Sequence, residues 1–215
     1  QEDIKKPNIE GMKNGYWNLD KHVKNLQSFG QTVVIAFNKF ATDTDEEIEV
    51  LRQHCEEMGC GFAVNNAFAE GGKGAVELAN LVVKTIDEHP SAPLYFAYKD
   101  DEPVEKKIED VAFNLYGAGS VTMSDSAKAM IEEIKKLGAE KFPICIAKTQ
   151  YSFSTDAKAY GPTEGFELHV RDITVNMGAE MIVVIAGPIM RMPGLPKSPQ
   201  AERIDVVNGE IVGLS

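Results

Sequence analysis

Positive charge is scarce in this 215-residue sequence. Lys and Arg number 22 against 33 Asp and Glu, a formal charge of −11 with a pI near 4.9. That balance excludes a broad basic face, and with it nucleic acid or an anionic membrane as partner. A local cluster of cations around a small anionic ligand is still compatible with it. Cysteine is equally sparse: Cys55, Cys60 and Cys145, an odd number, with no His pair at ligand spacing. This excludes a disulfide framework and a zinc site, and leaves reduced core thiols in a cytosolic protein as the expectation. Long apolar runs are missing. The longest cover residues 32–37 and 181–186, far short of the ~20 residues of a membrane span. Residues 1–18 are polar and show no signal-peptide pattern. Internal repeats and low-complexity tracts are absent too. What is present is ordinary globular material, 43% hydrophobic and 26% charged. At this length it makes one large domain or two small ones.

The pattern predicts an α/β fold. Leu19, Val23 and Leu26 recur at helical spacing over residues 18–29, and Gly30 stops that helix. Residues 32–37 (TVVIAF) read as a strand buried on both faces. Thr44 with Glu47 forms a capping box for a helix whose stripe is Ile48, Leu51 and Cys55. Residues 60–64 are a second strand. Residues 72–88 are a third helix with Val76, Leu78, Ala79, Val82, Val83 and Ile86 facing inward, closed by His89-Pro90. This βαβα order implies parallel strands with right-handed crossovers. Ligands in such sheets bind at the carboxyl ends of strands, here the loops 38–43 and 65–71. After Pro90 the pattern turns mixed and partly antiparallel. Strands are expected at 94–98, 142–147 and 181–186, and helices at 103–115 and 124–137. An alternating antiparallel strand is expected at 166–175, with a bulge near Asp172. A C-terminal hairpin turns at Asn208-Gly209. The expected division is 1–90 and 91–215, two lobes sharing a cleft.

Several stretches resemble chemical motifs without completing them. Asn38-Lys39-Phe40-Ala41 sits where a guanine-reading motif would, but the acidic residue is missing. Glu70-Gly71-Gly72-Lys73-Gly74 fails the phosphate-loop pattern twice, with Ala67 at its first glycine and Gly74 at its closing Ser/Thr position. The four histidines are scattered, as for surface or helix-end roles, and no Ser/His/Asp arrangement occurs. Two segments are better candidates for ligand contact. One is the polar and aromatic tract 148–154 (KTQYSFS) after a strand. The other is the stiff, proline-rich loop 187–199.

Taken together, VVIAFNKFATDTDEEI, AFAEGGKGAVELA, IAKTQYSFS and IMRMPGLPKSPQAERIDV with NGEIVGL resemble the carboxyl-terminal part of formate–tetrahydrofolate ligase, nearly end to end. The resemblance implies an ATP-dependent ligase that activates formate as formyl phosphate and formylates N10 of tetrahydrofolate. ATP and tetrahydrofolate are then substrates, and no metal site is evident in this portion. The family's phosphate loop lies in its amino-terminal part, so the resemblance implies a fragment, catalytically incomplete alone, with Gln1 as a cut point. Its partners would be small molecules and the missing amino-terminal portion, with homo-oligomer formation a further option. Residue by residue, Phe40 matches an aromatic that stacks on the pterin, and Phe68 stands where the family usually has tryptophan. Thr42 and Asp43 match in the first loop, while Ala41 replaces a usual proline. Glu70 and Lys73 exchange the family's charges, which would preserve a local salt bridge or alter binding of the acidic folate tail. Lys148, Thr149, Gln150 and Tyr151 resemble residues lining the active cleft. Met192, Pro193, Gly194 and Leu195 match a loop near the adenine or the folate entrance, so nucleotide contact is expected there. The alternative is a non-catalytic binding or assembly module on the same fold.

Overall fold

The computed structural model describes residues 6–189 and 197–213. It is a mixed α/β structure with two sheets and a terminal hairpin. The expected α/β class and the mixed character after Pro90 are both present.

The first sheet is a parallel pair, β1 (Val34–Asn38) and β2 (Gly61–Asn65), joined through helix α2 (Asp45–Glu57). The capping box forms: Glu47 N donates to Thr44 Oγ1 (3.3 Å) and Thr44 N donates to Glu47 Oε2 (3.2 Å). Glu47 also accepts from Asn8 N at 2.7 Å, fastening the start of α1 to the start of α2. Helix α1 (Ile9–Ser28) begins well before residue 18, because Asn8 caps it by accepting from Gly11 N (2.8 Å). Val23, Val33, Ile48, Cys55, Cys60 and Phe62 form a small core between α1, α2 and the sheet.

The other face of this sheet departs from expectation. After β2 the chain makes a single helical turn, α3 (Ala67–Glu70), then a 3₁₀ segment (Gly71–Ala75), and only then α4 (Val76–Glu88). No residue of α4 is buried. Val76, Ala79, Val82, Val83 and Ile86 are exposed, and Leu78 is half-buried. Ala36, in the middle of β1, is exposed as well, so β1 is not covered on both faces. The reason is geometric. Leu81 of α4 sits against Gly61 of β2, and among the described residues no strand lies beyond β1 to complete the layer.

The second sheet has order β3-β5-β6-β4, from β3 (Ser120–Met123), β4 (Ile144–Ala147), β5 (Glu167–Asn176) and β6 (Met181–Ala186). β3 runs parallel to β5 and β4 parallel to β6, while β5 and β6 are antiparallel. The register slips between Val170 and Asp172, the expected bulge. Helices α5 (Val104–Asp110) and α6 (Asp125–Leu137) cover one face. The core there is large and closed: Ile108, Ile131, Ile134, Leu168, Ile173 and Ile182 are all fully buried. Lys107 is fully buried too. Its Nζ donates to Glu140 O (2.7 Å) and Phe142 O (3.3 Å), which ties α5 to the turn before β4. Helix α5 runs into a π-helical turn (Val111–Tyr116) that ends at Gly117 in the left-handed region.

Three further expectations are corrected. Residues 94–98 pair with no strand among the described residues. Tyr95 N donates to Phe29 O, and Leu94, Tyr95 and Phe96 stand exposed. β3 is a strand where none was expected. Cys145 is exposed on β4, so only Cys55 and Cys60 are core thiols. Finally, β7 (Asp205–Val207) and β8 (Glu210–Val212) form the hairpin, with Asn208 and Gly209 both at positive φ as a type I′ turn requires.

Candidate ligand platform and cleft

The in-register pairing of β1 with β2 sets Asn38 opposite Asn65 and brings the two following loops side by side. Lys39 N donates to Asn65 O (3.1 Å) and Asn65 Nδ2 donates to Asn38 Oδ1 (2.8 Å), so the strand ends are clipped together. The first loop is a tight turn. Phe40 N donates to Asp43 Oδ2 (2.8 Å) and Asp43 N donates to Phe40 O (3.1 Å). Asp43 thus holds the backbone of Phe40, whose ring is 72% exposed, and Thr42 is exposed beside it. Lys39 pairs loosely with Asp45 at 3.5 Å.

The second loop is closed by Asn66. Its N–H donates to Gly74 O (2.9 Å) and its side-chain amide donates to Glu70 Oε1 (2.7 Å). Gly74 has to be glycine, since a Cβ there would lie 2.4 Å from the carbonyl carbon and oxygen of Asn66. Phe68 rides on this loop and is fully exposed. Glu70 meets Asn66 rather than Lys73, and no Glu70–Lys73 ion pair occurs among the described residues. Two aromatic rings therefore project into solvent from adjacent strand ends.

The second candidate lies after β4. Residues 148–153 wall a cavity of about 300 Å³ together with Tyr116, Ile146 and, from α1, Asn18 and His22. Lys148 Nζ donates to Thr149 O (3.3 Å) and to Ser152 O, and it sits 4.7 Å above the Tyr116 ring. Burial pulls its pKa below the ordinary lysine value. Burial, and then Cys145 nearby, push the Tyr116 phenol up. Part of the Lys148 role is thus to hold its own loop in shape. Gln150 is exposed, and Tyr151 is exposed at the rim. Phe153 anchors the loop to α1, edge-on to Trp17 at 5.4 Å and tilted against His22 at 4.9 Å.

Phe40, Thr42, Asp43 and Phe68 form one group, and Lys148, Gln150 and Tyr151 another. The cavity at Lys148 takes no residue from the first group. Met192, Pro193, Gly194 and Leu195 lie outside the described residues. Sequence reasoning missed Asn18 and His22, whose i, i+4 spacing puts them on one face of α1. No group of three or more His, Cys, Asp or Glu suited to a metal occurs among the described residues. No described helix is long and apolar enough to cross a membrane.

The family model for formate–tetrahydrofolate ligase matches residues 1–215. The chain belongs to the formate–tetrahydrofolate ligase family. It is 63% identical over 212 residues to the formate–tetrahydrofolate ligase of Bacteroides fragilis, a match covering 99% of this chain and 38% of that protein. It is 62% identical to the ligase of Phocaeicola vulgatus over 215 residues, 100% of this chain and 39% of that protein. The Campylobacter curvus ligase is 46% identical over 218 residues, again 39% of its length. The chain thus spans less than two fifths of the ligases it matches.

Proposed function

We propose that this chain supplies the folate-facing portion of an ATP-dependent formate–tetrahydrofolate ligase. The observation that carries the reading is the pair of solvent-facing rings, Phe40 and Phe68, on loops held side by side by the Asn38–Asn65 clip. In the reaction, a formate oxygen attacks the terminal phosphate of ATP, giving formyl phosphate and ADP. N10 of tetrahydrofolate then attacks the formyl carbon and expels phosphate. The first step needs an anion cradle and charge clamps, and the Glu70–Gly74 stretch does not complete one. The second step needs the pteridine held flat, and two exposed rings on fixed turns suit that task. Asp43 and Gly74 act as positioning residues, fixing the turns from which the rings project. The cleft at Lys148, Gln150 and Tyr151 offers an ammonium and an amide to the polar end of a substrate. Residues 192–195 are assigned to the nucleotide base, and residues 1–90 and 91–215 to two lobes flanking the cleft. A cytoplasmic setting fits three free thiols, two of them in the core.

Titration with tetrahydrofolate of the chain and of its Phe40→Ala and Phe68→Ala variants tests the platform. Loss of one stacked ring is worth about 0.5–1.5 kcal/mol, a weakening of roughly two- to tenfold. Thermal melting should not move, because both rings lie outside the core. Unchanged affinity in both variants would overturn the stacking role. Formylation of tetrahydrofolate by the pure 215-residue chain would overturn the assignment of the phosphoryl chemistry to the rest of the ligase.

A further inference from the structure

The outer side of β1 has the character of an interior strand. Gly61 N donates to Val33 O and Lys39 N donates to Asn65 O, both at 3.1 Å. In a parallel ladder successive residues point their main-chain groups to opposite sides. Residues 33, 35, 37 and 39 therefore face β2, and Val34, Ala36 and Asn38 present theirs to the open side, where no described backbone meets them. Edge strands are normally guarded by charge, proline or a bulge. Val34-Ile35-Ala36-Phe37 has none of these. Alongside runs a groove of about 410 Å³, with Val34 on its floor, Val82 and Ile86 of α4 as its wall, and His89-Pro90-Ser91 at one end. That end is fixed, since Thr32 N donates to Ser91 Oγ (3.0 Å) and Thr32 Oγ1 to His89 O (2.8 Å). Parallel sheets are found covered on both faces, and a lone pair of strands is not self-sustaining. The ligases that match this chain have more than three fifths of their length outside the match.

We propose that the free edge of β1 receives a further parallel strand from the portion of the ligase polypeptide outside these 215 residues. The same portion covers Val82, Val83 and Ile86 of α4. This rests on membership of the family and not on the folate reading. The incoming strand pairs with the main-chain groups of Val34, Ala36 and Asn38 and seats apolar side chains in the groove.

Amide hydrogen exchange, measured on the 215-residue chain alone and mixed with the portion of the Bacteroides fragilis ligase outside the 38% match, tests this. The amides of residues 34 and 36 should slow at least tenfold on mixing, while those of 35 and 37, already bonded to β2, should change little. Ile86→Glu places a charge at an exposed position, so it should leave melting of the chain unchanged and weaken the association at least tenfold. A second measurement serves if the added portion does not fold. In the intact Bacteroides fragilis ligase, the amides aligned with residues 34 and 36 should exchange slowly, and fast exchange there overturns the proposal. So does absence of association between folded portions, protection confined to another surface such as residues 94–98, or pairing of the chain with its own copies along β1. No readout involves folate, so failure of the stacking role leaves this proposal standing, and the reverse holds too.

Discussion

The two sheets of this molecule treat apolar surface in opposite ways. Around β3-β5-β6-β4, isoleucines, valines and Leu168 from the sheet and its two helices meet with almost no exposure, and even Lys107 is drawn in and satisfied by carbonyls. Around β1-β2 only one face is closed, by α1 and α2, while α4 carries its valines and Ile86 into solvent and two phenylalanines stand clear of the surface. The first region is finished by its own sequence. The second leaves apolar surface open, and on that surface rest the proposed stacking at the strand ends and the proposed strand along the side.

The contrast should be sharpest for isoleucine. Ile134→Ala in the closed core should cost about 2–5 kcal/mol, whereas Ile86→Ala on α4 should stay within about 0.5 kcal/mol. Urea unfolding of both variants checks the pair, and equal losses would erase the distinction. Gly74→Ala comes next. Its Cβ would collide with the Asn66 carbonyl, and an overpacked site of this kind costs about 1–3 kcal/mol. The variant should lower the melting temperature and also the affinity for tetrahydrofolate, where Phe68→Ala moves only the second.

Thr44→Ala should cost about 1 kcal/mol by removing the cap of α2. Its partner Glu47 gives a pH signature. The Thr44 hydroxyl, then the N–H groups of Asn8 and Thr44, hold the Glu47 carboxyl below the usual glutamate value of 4.5. A carboxylate depressed in the folded state stabilises above its unfolded pKa and loses that stabilisation as pH falls through its folded one. Melting curves of the native chain and Glu47→Gln should therefore differ at pH 7 and draw together as pH falls from 4.5 through the lower folded value. The smallest effect is expected for Phe68→Trp, which enlarges one ring of the platform. Folate affinity should rise by a few-fold at most, in line with about 0.5–1.5 kcal/mol for an aromatic pair, with no change in melting.

What was legible in the sequence is what short-range chemistry decides. The Thr44–Glu47 box, the bulge at Asp172 and the Asn208-Gly209 turn each follow from a few adjacent residues. So does the placing of Phe40 and Phe68 in strand-end loops. Periodicity also identified the apolar face of α4, but it carries no information on whether a partner covers that face. Residues 94–98 have the composition of a strand and lack a neighbour to pair with. β3 is only four residues long and follows Gly117 and Gly119, so its strand character comes from β5 beside it. Asn18 and His22 reach the Lys148 cavity across more than a hundred residues of chain, a meeting that no local pattern encodes.

The π-helical turn at Val111–Tyr116 has a consequence for how this cleft tolerates change in chain length. Such a turn is an α-helix wound with one residue too many. Its last two residues are both engaged: Leu115 O accepts from Asn25 Nδ2 of α1 (3.0 Å), and the Tyr116 ring lies beneath Lys148. Deleting one residue from the turn ahead of Leu115 would restore ordinary winding, which absorbs the loss, whereas a deletion in the preceding α5 would rotate everything after it by about 100°. In the second case Tyr116 would swing out from under the ammonium and α1 would lose its latch. A one-residue deletion in the turn should therefore damage the cleft less than the same deletion in α5.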